Sequence, residues 1–146
     1  MKTLRRAFAA RNLGDESAVS AIEFAIIFPI FLLVVLGILV YGIYFGAVHS
    51  VQQLAAEAAR ASVAGITEAE RADLARGHVE RAVGSYPLLE PGSLQVEAKP
   101  SPADPNLFEL DLSYDASNLV IFVLSGLVPM PPKQIRRQAI VRRGGY

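Results

Sequence analysis

Phe24–Val48 reads FAIIFPIFLLVVLGILVYGIYFGAV, 25 consecutive residues without a charge. As a helix rising about 1.5 Å per residue it is about 37 Å long, enough to cross a hydrocarbon layer of about 30 Å with some tilt. Apolar side chains occupy every face of it, whereas a core helix of a soluble protein keeps a polar side. A secretory leader would carry an apolar stretch of only about 7–15 residues before a small-residue cleavage site. This run is longer and leads into VHSVQQLAAEAARASVAG, which continues as helix. The sequence predicts a transmembrane helix that stays with the protein.

The flanks orient that helix. Lys2, Arg5, Arg6 and Arg11 precede it, while residues 49–59 carry only His49 and Glu57. The positive-inside rule then places the short N-terminus in the cytoplasm and residues 49–146 outside. The balance of 14 Lys and Arg against 14 Asp and Glu hides a block pattern. Lys133, Arg136, Arg137, Arg142 and Arg143 make the C-terminal end basic, while residues 57–115 hold 11 acids against 5 bases. A basic end suits nucleic acid or anionic lipid, but this topology separates it from nucleic acid.

Composition narrows the class further. A length of 146 residues makes one folded unit with a small appendage and argues against a two-domain enzyme. With 52% hydrophobic and 19% charged residues the chain is not disordered. The absence of Cys excludes disulfides, thiolate zinc sites, iron–sulfur clusters and cysteine nucleophiles. The mean hydropathy of +0.34 is accounted for mostly by the single apolar run.

Past the span, Val51, Leu54, Ala55, Ala58 and Ala61 or Ser62 recur at three- and four-residue steps, opposite Gln52, Gln53, Glu57 and Arg60. One helix is expected over 17–64, half in lipid and half against a small external domain, with Gly65 as its C-terminal stop. Thr67-Glu68-Ala69-Glu70 has the form of a capping box. It opens a second helix over 68–83, with Leu74, His78 or Val79, and Ala82 facing inward. Five prolines make residues 85–106 mainly loop, interrupted by a short strand in which Leu94, Val96 and Ala98 alternate with polar residues. Phe108, Leu110, Leu112 and Tyr114 alternate with Glu109, Asp111 and Ser113, the clearest strand in the chain. A third strand is expected over 134–142, with basic outer positions. Leu119–Val128 (LVIFVLSGLV) is too short to cross a bilayer. It is either a buried strand or short helix of the external core, or an apolar surface that meets the membrane or a neighbouring subunit. The fold class is α+β, with a short antiparallel sheet.

No HExxH, GxSxG, Walker loop or dinucleotide fingerprint occurs. His49 and His78 fall on separate helices without an evident acid–base partner and read as an interface residue and a solvated-face residue. Asp104, Glu109, Asp111 and Asp115 fit the wet face of a strand better than a calcium site. No catalysis, metal or cofactor is expected. Glu23, one residue before the apolar run, either sits at headgroup level or meets a cation, water or a proton. Pro29 removes the amide that would bond to the Ala25 carbonyl, which predicts a kink. Gly42-Ile-Tyr-Phe-Gly46, extended by Ser50, has the spacing of a helix-packing face, a pattern that also arises by chance. Tyr41 and Tyr44 lie about 27–32 Å along the helix from Glu23, which suits an aromatic belt.

The string Ala18-Val19-Ser20-Ala21-Ile22-Glu23-Phe24, running into Ala-Ile-Ile-Phe-Pro, resembles the N-terminal signature of TadE-like proteins. These are pilin-like minor components of Tad (tight adherence, Flp) pilus systems, related to type IV pilins. The resemblance covers residues 18–65, through AAEAARASVAG, and is loose beyond. It implies that a prepilin peptidase cuts between Ala18 and Val19, making Glu23 the fifth and Phe24 the sixth residue of the mature chain. Pro29 completes the EFAxxxP run. The residue before the cut is usually Gly, and here it is Ala18; a cut after Gly14 would make Glu23 the ninth. Either the peptidase accepts Ala18 or the leader is kept. The new α-amine of Val19 would be a cation near Glu23, and their pairing, within or between subunits, would favour one axial register of parallel helices.

The expected organisation is a basic cytoplasmic leader over 1–18, open to cleavage, a transmembrane helix over 19–48 and an external, periplasmic or extracytoplasmic α+β domain over 49–146. The resemblance implies a minor pilin, or pseudopilin, of Tad/Flp pilus assembly and hence surface adhesion. It would sit single-pass in the inner membrane or enter the pilus itself. The implied partners are the prepilin peptidase, major and minor pilins, an inner-membrane platform and membrane lipid, with no nucleic acid. Two other readings stay open: a single-pass envelope protein with an external ligand-binding domain, and a tethered accessory subunit of a membrane secretion complex.

Overall fold

A computed structural model describes residues 4–142, with side chains from Glu16 to Arg142. Lys2 and Arg143, and the side chains of Arg5, Arg6 and Arg11, lie outside the described residues. The elements are helix α1 (Leu4–Ser62), helix α2 (Glu68–Ala82) and strands β1 (Leu94–Pro100), β2 (Leu107–Asp115) and β3 (Gln134–Arg142). Short 3-10 helices occupy Val83–Ser85, Pro91–Ser93 and Val120–Leu124. Packing divides the chain into two units, with the boundary between Leu39 and Val40.

The first unit is helix alone. From Val19 to Val34 its apolar side chains, among them Ile22, Phe24, Ile26, Ile27, Ile30 and Phe31, are exposed, and Val35 and Leu36 are half-buried. It is therefore not a core helix, and α1 is long and apolar enough to cross a membrane. The helix runs on through Pro29.

The second unit is built on the C-terminal part of α1. Ala47, Val51, Leu54, Ala55, Ala58 and Ala59 form a fully buried stripe. Its small residues allow the elements above to approach closely. Ala72, Ala75 and Val79 of α2, and Val83 after it, face this core. The sheet is an antiparallel meander in the order β1-β2-β3. Strict alternation in β2 sends Phe108, Leu110, Leu112 and Tyr114 inward, each at most 1% exposed. Pro100 is tolerated because it ends an edge strand.

Several local expectations are corrected. In β3, Arg137 lies opposite Leu112 on the inner face while Ile140 is exposed, so the basic residues are not all outward. Register decides this: Ile135 pairs with Tyr114, and every second residue follows it inward. In α2 the buried positions are Arg71, Ala72, Ala75 and Val79, with Leu74, His78 and Ala82 only half-buried. Small residues are needed there, against the alanine stripe. The Thr67 hydroxyl accepts from the Glu70 amide at 3.2 Å, as a cap should. Glu70 returns its bond to the Ile66 amide, at 2.9 Å, one residue before the cap.

Gly65 does not end α1 by a left-handed turn. The helix stops at Ser62, and among the described residues only Gly126 has a positive φ, at 98°. What Gly65 supplies is room, since a Cβ there would lie 2.7 Å from the Arg71 amide nitrogen and 3.0 Å from its Cα. Both are backbone atoms that cannot swing aside. Gly65→Ala is expected to cost about 1–3 kcal/mol, read as a lower thermal midpoint in detergent. Gly84→Ala, with nothing within 4 Å of the added methyl, should change stability by no more than about 0.5 kcal/mol.

Candidate functional site

The residues tied to processing and assembly lie on the first unit. Ala18 and Val19 are exposed residues within α1. Val19 and Glu23 are one helical turn apart and, with Ser20 and Glu16, line one shallow open depression. Glu16 is a second carboxylate on this face, and its seven-residue spacing from Glu23 could have flagged it in the sequence. Phe24 stacks on Phe28, with ring centroids 5.2 Å apart. The helix thus presents a polar turn followed at once by an aromatic pair, with no other part of the unit covering either.

The small-residue stripe is divided between two uses. Nothing lies within 4 Å of a Cβ placed on Gly42, so that position is open. A Cβ on Gly46 would meet Leu88 Cδ1 at 2.9 Å, so this glycine already admits a side chain of the same unit. The Ser50 hydroxyl donates back to the Gly46 carbonyl at 3.0 Å. Tyr41 is exposed, whereas Tyr44 packs against the core.

A polar cluster that sequence reasoning missed joins α1 to α2. Glu57 Oε2 accepts from the Tyr86 hydroxyl at 3.1 Å and lies 3.5 Å from His78 Nε2. Glu57 Oε1 accepts from Gln53 Nε2 at 3.1 Å. His78 therefore faces a carboxylate rather than a solvated, partnerless surface, and the earlier reading is corrected; His49 is exposed. The Gln53 hydrogen bond, aided by Tyr86 and His78 and opposed by burial, holds the Glu57 carboxyl below its ordinary range. Burial, then Glu57, pushes the Tyr86 phenol up. Only the fold brings residues 57, 78 and 86 together, so no local pattern announces them.

A depressed carboxyl contributes stability that is present above its unfolded value and lost as pH falls through the folded one. Acid should therefore weaken the seating of α2 on α1 below about pH 4.5, the ordinary Glu value. Glu57→Gln keeps the shape but titrates no proton. It is expected to flatten the stability profile in that window, seen by circular dichroism melts between neutral and acid pH.

On the outer face of the sheet, Glu109 accepts from Ser101 Oγ and from Gln138 Nε2, and Asp111 lies 3.8 Å from Lys99 Nζ. Asp104 accepts from the Asn106 amide and Asp115 from Ser117. These acids serve turns and cross-strand pairs.

No curated protein and no solved structure matches the chain. A family model does match, over the stretch of α1 that holds the candidate cut, Glu23, Pro29, the Gly42–Gly46 spacing and Glu57. Residues 18–60 match the family of TadE-like proteins.

Proposed function

We propose that the chain is a minor pilin, or pseudopilin, of a Tad/Flp pilus system, anchored single-pass in the inner membrane. Its N-terminus is cytoplasmic and residues 49–146 lie outside. The TadE-like match over residues 18–60 carries this reading. The exposed face shared by Val19 and Glu23 supports it. Uncut, that face presents two carboxylates, Glu16 and Glu23. A cut between Ala18 and Val19 removes Glu16 and creates an α-amine one turn from Glu23, so the face turns from acidic to a cation–carboxylate pair. In a bundle of parallel helices such a pair is best satisfied at one axial offset, its own or a neighbour's carboxylate meeting the amine. Phe24 and Phe28 then pack behind it, Pro29 bends the helix near its inner end, and Gly42 leaves room for an approaching helix.

The partners in this reading are a prepilin peptidase, the major pilin, other minor pilins, an inner-membrane platform and lipid. The external domain contacts the other subunits, and the protein has no catalytic role. Deleting the gene tests it: surface pili and adhesion should be lost and return with the wild-type chain. Normal piliation in the deletion strain would overturn the reading. One observation favours a second reading, an uncut anchor in an accessory role: Ala18 stands where such signatures usually carry Gly.

A further inference from the structure

The segment between β2 and β3 carries no charge from Ala116 to Pro132. It is well anchored: Ile121 and Val128 are buried, Leu119 and Phe122 pack on the core, and Ser125 bridges to Val128 across a turn at Gly126. On that scaffold Val120, Val123 and Leu127 are 69%, 81% and 60% exposed. Leu119–Val128 therefore has one side in the core, as the first sequence reading expected, and a bare apolar side.

Contacts show which end of the unit carries this bare side. Leu88 covers Gly46, the Tyr114 hydroxyl donates to the Leu88 carbonyl at 3.1 Å, and Asn118 Nδ2 donates to Glu90 Oε2 at 2.9 Å. The end of β2 and the start of the segment are thus linked through Leu88 and Glu90 to Gly46, inside the charge-free run that ends at Val48. Val40, nearer still to the middle of that run, is 0% exposed within the same unit. Counted from Glu23, a hydrocarbon layer of about 30 Å takes about 20 helical residues, which reaches Ile43. On the reading of α1 as a membrane span, Val40 then falls at hydrocarbon depth, and whatever this unit carries beside it would face lipid. Lys133 Nζ, 5.7 Å from the Phe122 ring centroid, is placed as a cation bordering an apolar patch, the pattern of a surface seated at lipid headgroups.

We propose that Val120, Val123 and Leu127 insert into the outer leaflet at the boundary of headgroups and acyl chains, giving the external domain a second, shallow hold on the membrane beside its helix. The proposal rests on the reading of α1 as a membrane span, and the test separates the two. The chain has no Cys, so single labelling sites are available without removing any. The full chain, carrying Val123→Cys, Asp73→Cys or Phe31→Cys with an environment-sensitive fluorophore, is reconstituted into phosphatidylethanolamine–phosphatidylglycerol vesicles. Nitroxide lipids, labelled near the headgroup or deep in the acyl chain, then act as quenchers.

The shallow nitroxide should quench the label at position 123 at least about twofold more than the label at position 73, on the exposed side of α2. The deep nitroxide should quench the label at position 31. Quenching at 31 with none at 123 beyond the level at 73 overturns the proposal and leaves the span intact. A blue-shifted but unquenched label at 123 also overturns it, in favour of cover by a second copy. A label at 31 that no nitroxide reaches removes the span and the proposal with it.

Discussion

Glu23→Ala is expected to leave the chain folded and membrane-inserted while reducing its co-purification with other pilins at least about tenfold, a change of 1.4 kcal/mol in association. The side chain is exposed on α1, so the packing of the second unit does not depend on it. Its partner in the proposed assembly is the α-amine of Val19. Two unit charges about 4 Å apart attract by about 4 kcal/mol at an effective dielectric of about 20, before desolvation takes its share. If a third of that survives in each contact, a tenfold effect follows. Glu16→Ala is the matched control, because the same face loses a carboxylate that, in the proposed processing, leaves with the leader. It should assemble normally. Unchanged co-purification of Glu23→Ala would remove the register role.

Tyr114→Ala carries the largest expected effect on stability. Tyr114 is 1% exposed and heads the largest fully buried side chains. Its ring sits between Leu94 of β1 and Ile135 of β3 in register, and its hydroxyl donates to the Leu88 carbonyl. Leu88 in turn covers Gly46. Removing the ring leaves a cavity where the sheet and α1 are linked through Leu88. Truncations of buried aromatics cost about 3–5 kcal/mol. For a domain of about 100 residues that lowers the thermal midpoint by more than about 10 °C. Tyr114→Phe keeps the ring and strands only one carbonyl, so it should lose about 1 kcal/mol. Equal losses in both variants would show that the hydrogen bond, and not the packing, holds this corner.

The contrast between these two sites explains what could be read from the sequence. The strands were legible because a half-buried sheet enforces a two-residue period, and Leu107–Asp115 keeps it without a break. The apolar run and the capping threonine were legible for the same reason: each is a local pattern with one physical cause. Arg137 and Ile140 were not, because the partner's register assigns their faces. Gly65 was read through the commonest reason for a glycine after a helix, whereas here the reason is a backbone six residues on. The Glu57–His78–Tyr86 cluster joins α1, α2 and the loop that follows α2, and no spacing rule connects them. Gly42, Gly46 and Ser50 looked like a helix-packing face, yet Gly46 meets Leu88 of its own chain; that partner lies 42 positions away.

The central claim is that the chain is a processed pilin-like subunit whose mature N-terminus is Val19. It is tested most directly by the intact mass and N-terminal sequence of the membrane-extracted protein, from cells with and without the prepilin peptidase. The account predicts a chain that begins at Val19 only when the peptidase is present, and a full-length chain when it is absent. A full-length chain from Met1 in both strains would contradict it and leave a fixed anchor in its place.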